Sequence, residues 1–149
     1  MKVFFILCFA LLASSSSNTE SQNLSGHWTL ICYENTDTRQ RDCRPEAQWQ
    51  KGRLAFQFSD DGKQGELRGK TTSNRVFGSY QLRENQNLEV LSFGGTKVAE
   101  RGWGKDFWEH INQVTSYEHQ HDTLRLYYDF NKCMIFVPYQ AVEQGEGSE

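Results

Sequence analysis

The sequence predicts a mainly β fold of the α+β kind: a small, partly open antiparallel barrel with one covering helix before the final hairpin. Three observations carry this. Several short segments alternate apolar and polar residues with a period of two. Tight turn signals separate them. A single segment, around residues 105–114, carries apolar residues at helical spacing, and further strand patterns follow it.

In chain order, Trp28, Leu30 and Cys32 alternate with Thr29 and Ile31 and form a first strand. Residues 33–49 are polar and without period, and are expected to be loop. Leu54, Phe56 and Phe58 alternate with Ala55, Gln57 and Ser59, and Asp60-Asp61-Gly62-Lys63 turns the chain into a returning strand over 66–71. Residues 75–82 form the next strand, with Gly78 at a bend. The turn Glu84-Asn85-Gln86-Asn87 leads into 88–93.

After Gly94-Gly95 the period changes. Phe107, His110, Ile111 and Val114 fall on one helical face, with Asp106 placed to cap the first turn and Glu109 three residues on. Residues 115–119 and 123–128 flank the polar turn His119-Gln120-His121-Asp122, and 132–137 close the domain. An antiparallel series with one helix suggests that the helix covers a gap between strand edges.

The ends of the chain read differently. Lys2 precedes eleven apolar residues, Val3 to Ala13, and then a run of small residues, the layout of a secretory signal peptide. Residues 1–17 are assigned to that signal, 18–23 to a linker, 24–140 to the domain and 141–149 to a disordered acidic tail. The apolar run is too short to span a bilayer, so no transmembrane anchor is expected. No small residue precedes Cys8 as lipid attachment would require, so the protein is expected to be secreted or periplasmic.

The 149-residue chain has net charge −3, and losing Lys2 with the signal leaves 15 basic against 19 acidic side chains. No stretch concentrates Lys and Arg with aromatic residues, which argues against nucleic acid as a partner. Three cysteines then remain. Cys32 and Cys43 bracket a polar stretch and are the preferred disulfide, with Cys133 pairing to either as the alternative.

Catalytic patterns are absent from the sequence. There is no G-x-S-x-G, and neither Gly94-Gly95 nor Gly102-Trp103-Gly104 is followed by the Lys-Ser/Thr of a phosphate loop. His119 and His121 could offer a metal two ligands, but their setting is that of an ordinary polar turn. No catalytic residue, metal or cofactor is assigned.

Gly26-His27-Trp28 opens the first strand as it does in lipocalins, but a lipocalin helix follows the last barrel strand, and here strands come after the helix. A lipocalin-like small-molecule carrier is therefore the runner-up. The order Leu24-Ser25-Gly26-His27-Trp28-Thr29-Leu30, Phe77-Gly78-Ser79-Tyr80, Leu88-Glu89-Val90, Gly95-Thr96, the helix with Phe107 and Ile111, Ser116-Tyr117, Leu124-Arg125-Leu126-Tyr127 and Met134-Ile135-Phe136 resembles the META domain family. Heat-shock protein HslJ is its best-known member, and the resemblance spans about residues 24–138.

Many members have Cys-Asn and a second cysteine where this chain has Ser73-Asn74 and Glu100. Any redox role of relatives is therefore not transferable. The resemblance implies an exported or envelope-associated, stress-related, non-enzymatic protein. A fold analogy adds a hydrophobic small molecule or partner segment as ligand, expected near Trp49, Trp103, Phe107 and Trp108. A filled-barrel interaction or inhibitor protein without ligand is the further alternative, and nothing fixes the oligomeric state.

Overall fold

The computed structural model describes residues 23–140. The expectations for residues 1–22 and 141–149 lie outside the described residues. The described chain forms β1 (Gly26–Asn35), β2 (Arg41–Cys43), β3 (Ala55–Asp60), β4 (Gln64–Lys70), β5 (Arg75–Arg83), β6 (Asn87–Gly95), α1 (Gly102–His110), β7 (Val114–Gln120), β8 (Thr123–Tyr128) and β9 (Lys132–Pro138). All strand pairings are antiparallel, and β1 pairs with β9, so eight strands close into a ring. β2 stands outside it, pairing with the part of β1 that β3 leaves free.

The ring has one thin seam. β6 and β7 share a single register pair, Asn87 with Ser116. A 3-10 turn at Ile111–Gln113 prolongs α1, and Ile111 lies fully buried beside Leu88 and Val90. The helix thus closes the place where the ladder is interrupted, as the apolar face at 107 and 111 requires. Asp106 does not cap it. The helix begins four residues earlier, at Gly102 (φ +51°), with Arg101 at the cap and no side-chain cap bond. Gly102-Trp103-Gly104 therefore forms the first turn. At Gly104 a Cβ would sit 2.8 Å from the Thr72 backbone nitrogen, so only glycine lets the helix lie on the 71–74 turn.

Residues 33–49 are more ordered than a loop. β1 continues to Asn35, and β2 returns along it with Cys32 opposite Cys43. All three residues of β2 are exposed, so this hairpin carries no apolar alternation by which sequence could reveal it. A bulge between Leu30 and Cys32 turns two consecutive residues outward. Leu30 and Tyr33 belong to the barrel interior, whereas Ile31 and Cys32 join Cys133 and Ile135 in a second apolar cluster on its outside.

The 36–53 segment lies over that second cluster. The Cys32–Cys43 disulfide fastens it. Arg44, buried, donates to the Leu30 carbonyl (2.6 Å) and the Gln48 carbonyl (2.9 Å). Trp49 packs onto the cluster and donates from Nε1 to the Arg44 carbonyl (3.0 Å).

Candidate functional site

The helix carries three of the four aromatic residues expected to form a site, and each points elsewhere. Phe107 is fully buried, stacked on Phe56 with ring centroids 4.3 Å apart and edge-on to Phe93 at 5.7 Å. It fills the barrel and presents nothing to a ligand. Trp103, half-buried, tilts against Tyr33 at 4.8 Å, and its carbonyl accepts the Tyr33 hydroxyl (3.2 Å). Trp108 packs edge-on against Phe93 (4.8 Å) on the other flank and faces the Thr71 hydroxyl across 3.4 Å. Trp49 belongs to the outer cluster and is not brought to the helix.

The interior is filled. A void among Phe58, Leu67, Tyr80, Leu88, Ile111 and Leu126 measures about 10 Å³, room for about one water molecule and far below the hundreds of Å³ of ligand pockets. Two concavities lie at the helix instead.

The first is a groove of about 410 Å³ along the outer flank of α1, with Trp108, Val98 and Ala99 as its apolar wall and Lys105 and Glu109 at its rim. Val98 is 60% exposed. The backbone of this wall is fixed by buried polar groups. Asn74 donates to the Val98 carbonyl (2.8 Å) and accepts from the Val98 N–H (2.8 Å) and the Thr96 hydroxyl (2.9 Å). Glu100 accepts from the Thr71 hydroxyl (2.8 Å), the Ser73 N–H (2.8 Å) and the Asn74 amide. Burial alone would raise its carboxyl pKa, but these bonds, led by Asn74 and Thr71, outweigh it and hold the group below the usual carboxylate range. Glu100 thus joins the 71–74 turn through hydrogen bonds.

The second is an open mouth of about 480 Å³ between the end of β1, β2 and α1, lined by Tyr33, Arg41, Asp42, Asp106, His110 and Tyr128. Burial, then Asp106, pushes the Tyr33 hydroxyl far above its ordinary range, so it stays protonated. His110 stacks on Tyr128 at 4.5 Å, and its buried Nδ1 has no hydrogen-bond partner among the described residues. Glu34, at the floor, is occupied by charge pairing. Its carboxylate is wholly buried against Arg41, Arg125 (3.2 Å) and Arg39 (3.7 Å). Burial would raise its pKa, but Arg41, then Arg125, lower it. No nucleophile here has an activating base. Cys133 is buried beside Glu34, and burial first, then that carboxylate, push its thiol up to about 11.

His119 and His121 do not converge. His119 Nδ1 faces the Asn23 carbonyl at 2.8 Å and its ring meets Trp28 edge-on, while His121 sits in the turn with φ +50°. Among the described residues no group of three His, Cys, Asp or Glu could hold a metal. Arg44, Glu34 and Val98 escaped sequence reasoning. The first two lie in or beside the polar stretch without period, and a lone exposed valine carries no signal.

A closed antiparallel barrel with its helix inserted before the last three strands defines a small β-barrel domain. The sequence matches the META domain family over residues 22–141, and the chain belongs to that family. A DUF4847 family protein from Bacteroides vulgatus ATCC 8482 shares the fold at TM-score 0.53 and 15% identity, over 76% of this chain and 92% of that one. A protein from Burkholderia xenovorans, known by NMR, gives 0.48 at 20% identity over 76% and 81%. No curated protein matches the sequence.

Proposed function

We propose that this META-domain protein is an exported, non-enzymatic interaction domain that binds a hydrophobic segment of another protein along the Trp108–Val98 groove. The carrying observation is the contrast between the two spaces. The interior void is about 10 Å³, whereas the outer groove is about 410 Å³ with an exposed valine on a braced backbone. A filled interior favours this over a lipocalin-like carrier, although both are closed barrels. The family resemblance supports a setting in the envelope or outside the cell under stress. The Cys32–Cys43 disulfide suits an oxidising compartment, and no described helix is long and apolar enough to cross a membrane.

The test is titration with short apolar peptides, following tryptophan emission, alongside native mass spectrometry with a lipid panel. Binding should shift emission in the natural chain and in Trp103→Phe, but not in Trp108→Phe, and Val98→Asp should abolish binding. A lipid retained in native spectra, or an emission shift that survives Trp108→Phe, would overturn the proposal.

A further inference from the structure

The outer faces of β4 and β5 carry a charge arrangement that the sequence does not announce. The 71–74 turn folds the two strands together in register, with Lys70 opposite Arg75, Arg68 opposite Phe77 and Glu66 opposite Ser79. All six belong to the alternating outward set, since Leu67, Val76 and Tyr80 between them are buried. Like charges directly opposite on a sheet cost stability. Glu66 is 3.3 Å from Arg68 and so is already engaged, and among the described residues neither Lys70 nor Arg75 has an acidic partner within ion-pair distance.

The flanking strands add no charge on these rows. β3 offers Ala55 and Gln57, and β6 offers Gly94 and Ser92. Phe77 is 62% exposed, and bare Gly94 beside it leaves one flank of the ring uncovered. Arg68, Arg75 and Phe77, with Glu66 at one end and the Ser79 and Ser92 hydroxyls 2.7 Å apart, line an open depression of about 710 Å³, and Lys70 stands beside it opposite Arg75.

We propose that this face docks a short, extended acidic segment of a partner protein. One carboxylate lies between Lys70 and Arg75, and an apolar side chain two residues on lies over Phe77, in the row that Phe77 shares with Arg68. The spacing fits, because alternate residues of an extended segment stand about 6.8 Å apart, as do the Lys70–Arg75 and Arg68–Phe77 rows. A short segment fits better than a nucleic-acid strand. The cationic area is only two strands wide on a chain of net charge −3, and further along β4 lie Glu66 and then Asp61 in the β3–β4 turn. A long polyanion would run off the patch into those acids.

The test is fluorescence anisotropy on the full chain with three labelled probes: a short peptide with Glu and, two residues on, Phe, its Gln-for-Glu counterpart, and an oligothymidylate of equal length. The acidic peptide should bind about tenfold or more tighter than the Gln peptide, and more weakly in high salt. Lys70→Glu with Arg75→Glu should remove that advantage, Phe77→Ser should weaken binding severalfold, and Val98→Asp should leave it unchanged. If the double reversal fails to fold by circular dichroism, Lys70→Gln with Arg75→Gln replaces it under the same criteria. Equal binding of the two peptides, tighter binding of the oligothymidylate, or unchanged affinity in the charge variants would overturn the proposal.

Discussion

Replacing Cys32 and Cys43 by alanine tests how the outer layer is held. The bridge joins residues 11 apart in sequence and directly opposite in register. With loop-closure entropy of −2.1 − 1.5R ln n, an 11-residue loop gives about 9.3 cal/mol/K, or about 2.8 kcal/mol at room temperature. At a urea m-value of about 2 kcal/mol/M, the midpoint should fall by about 1.4 M. The remaining ties of the 36–53 segment, Arg44 to the Leu30 carbonyl and Trp49 to the Arg44 carbonyl, survive the substitution, so the domain should still fold. The assay is equilibrium urea unfolding of both proteins, with hydrogen exchange at Arg44, whose N–H bonds the Ile31 carbonyl at 2.8 Å. A midpoint loss under about 0.5 M, or unchanged exchange at Arg44, would refute the view that the disulfide clamps this layer.

Four further outcomes follow. Phe107→Ala should cost about 3–5 kcal/mol in urea unfolding, because a fully buried ring stacked on Phe56 is removed from a core with almost no spare volume. Glu34→Gln should cost about 3 kcal/mol at neutral pH, the low end for breaking a buried pair since Arg41 is half-exposed. The folded-state pKa of Glu34 is lowered from 4.5, so its contribution is complete above that value and fades as pH falls through the folded pKa; a deficit equally large at strongly acid pH would contradict this. Lys70→Glu should raise stability by about 0.2–1 kcal/mol by turning a like-charge cross-strand pair into an opposite one, and the gain should shrink in salt. The Cys133 thiol, raised to about 11 and buried, should resist alkylation at mildly alkaline pH until the chain is unfolded, as mass spectrometry would read.

The sequence alone determined the ring strands, the position of the single helix before the last three of them, and the Cys32–Cys43 pairing as the preferred one. Period-two and period-3.6 patterns survive wherever one face of an element meets the core. The signal is local, so Leu54, Phe56 and Phe58 or Phe107 and Ile111 suffice. Tertiary structure decided the rest. The β1–β2 hairpin lacked a pattern because its outer strand touches no core. The three helix aromatics dispersed because neighbouring residues on one helix face different surroundings: Phe107 the interior, Trp103 the Tyr33 ring, Trp108 the groove. Arg68, Lys70, Arg75 and Phe77 became one surface only when a turn brought two strands into register, since adjacency across a sheet depends on pairing and not on distance along the chain.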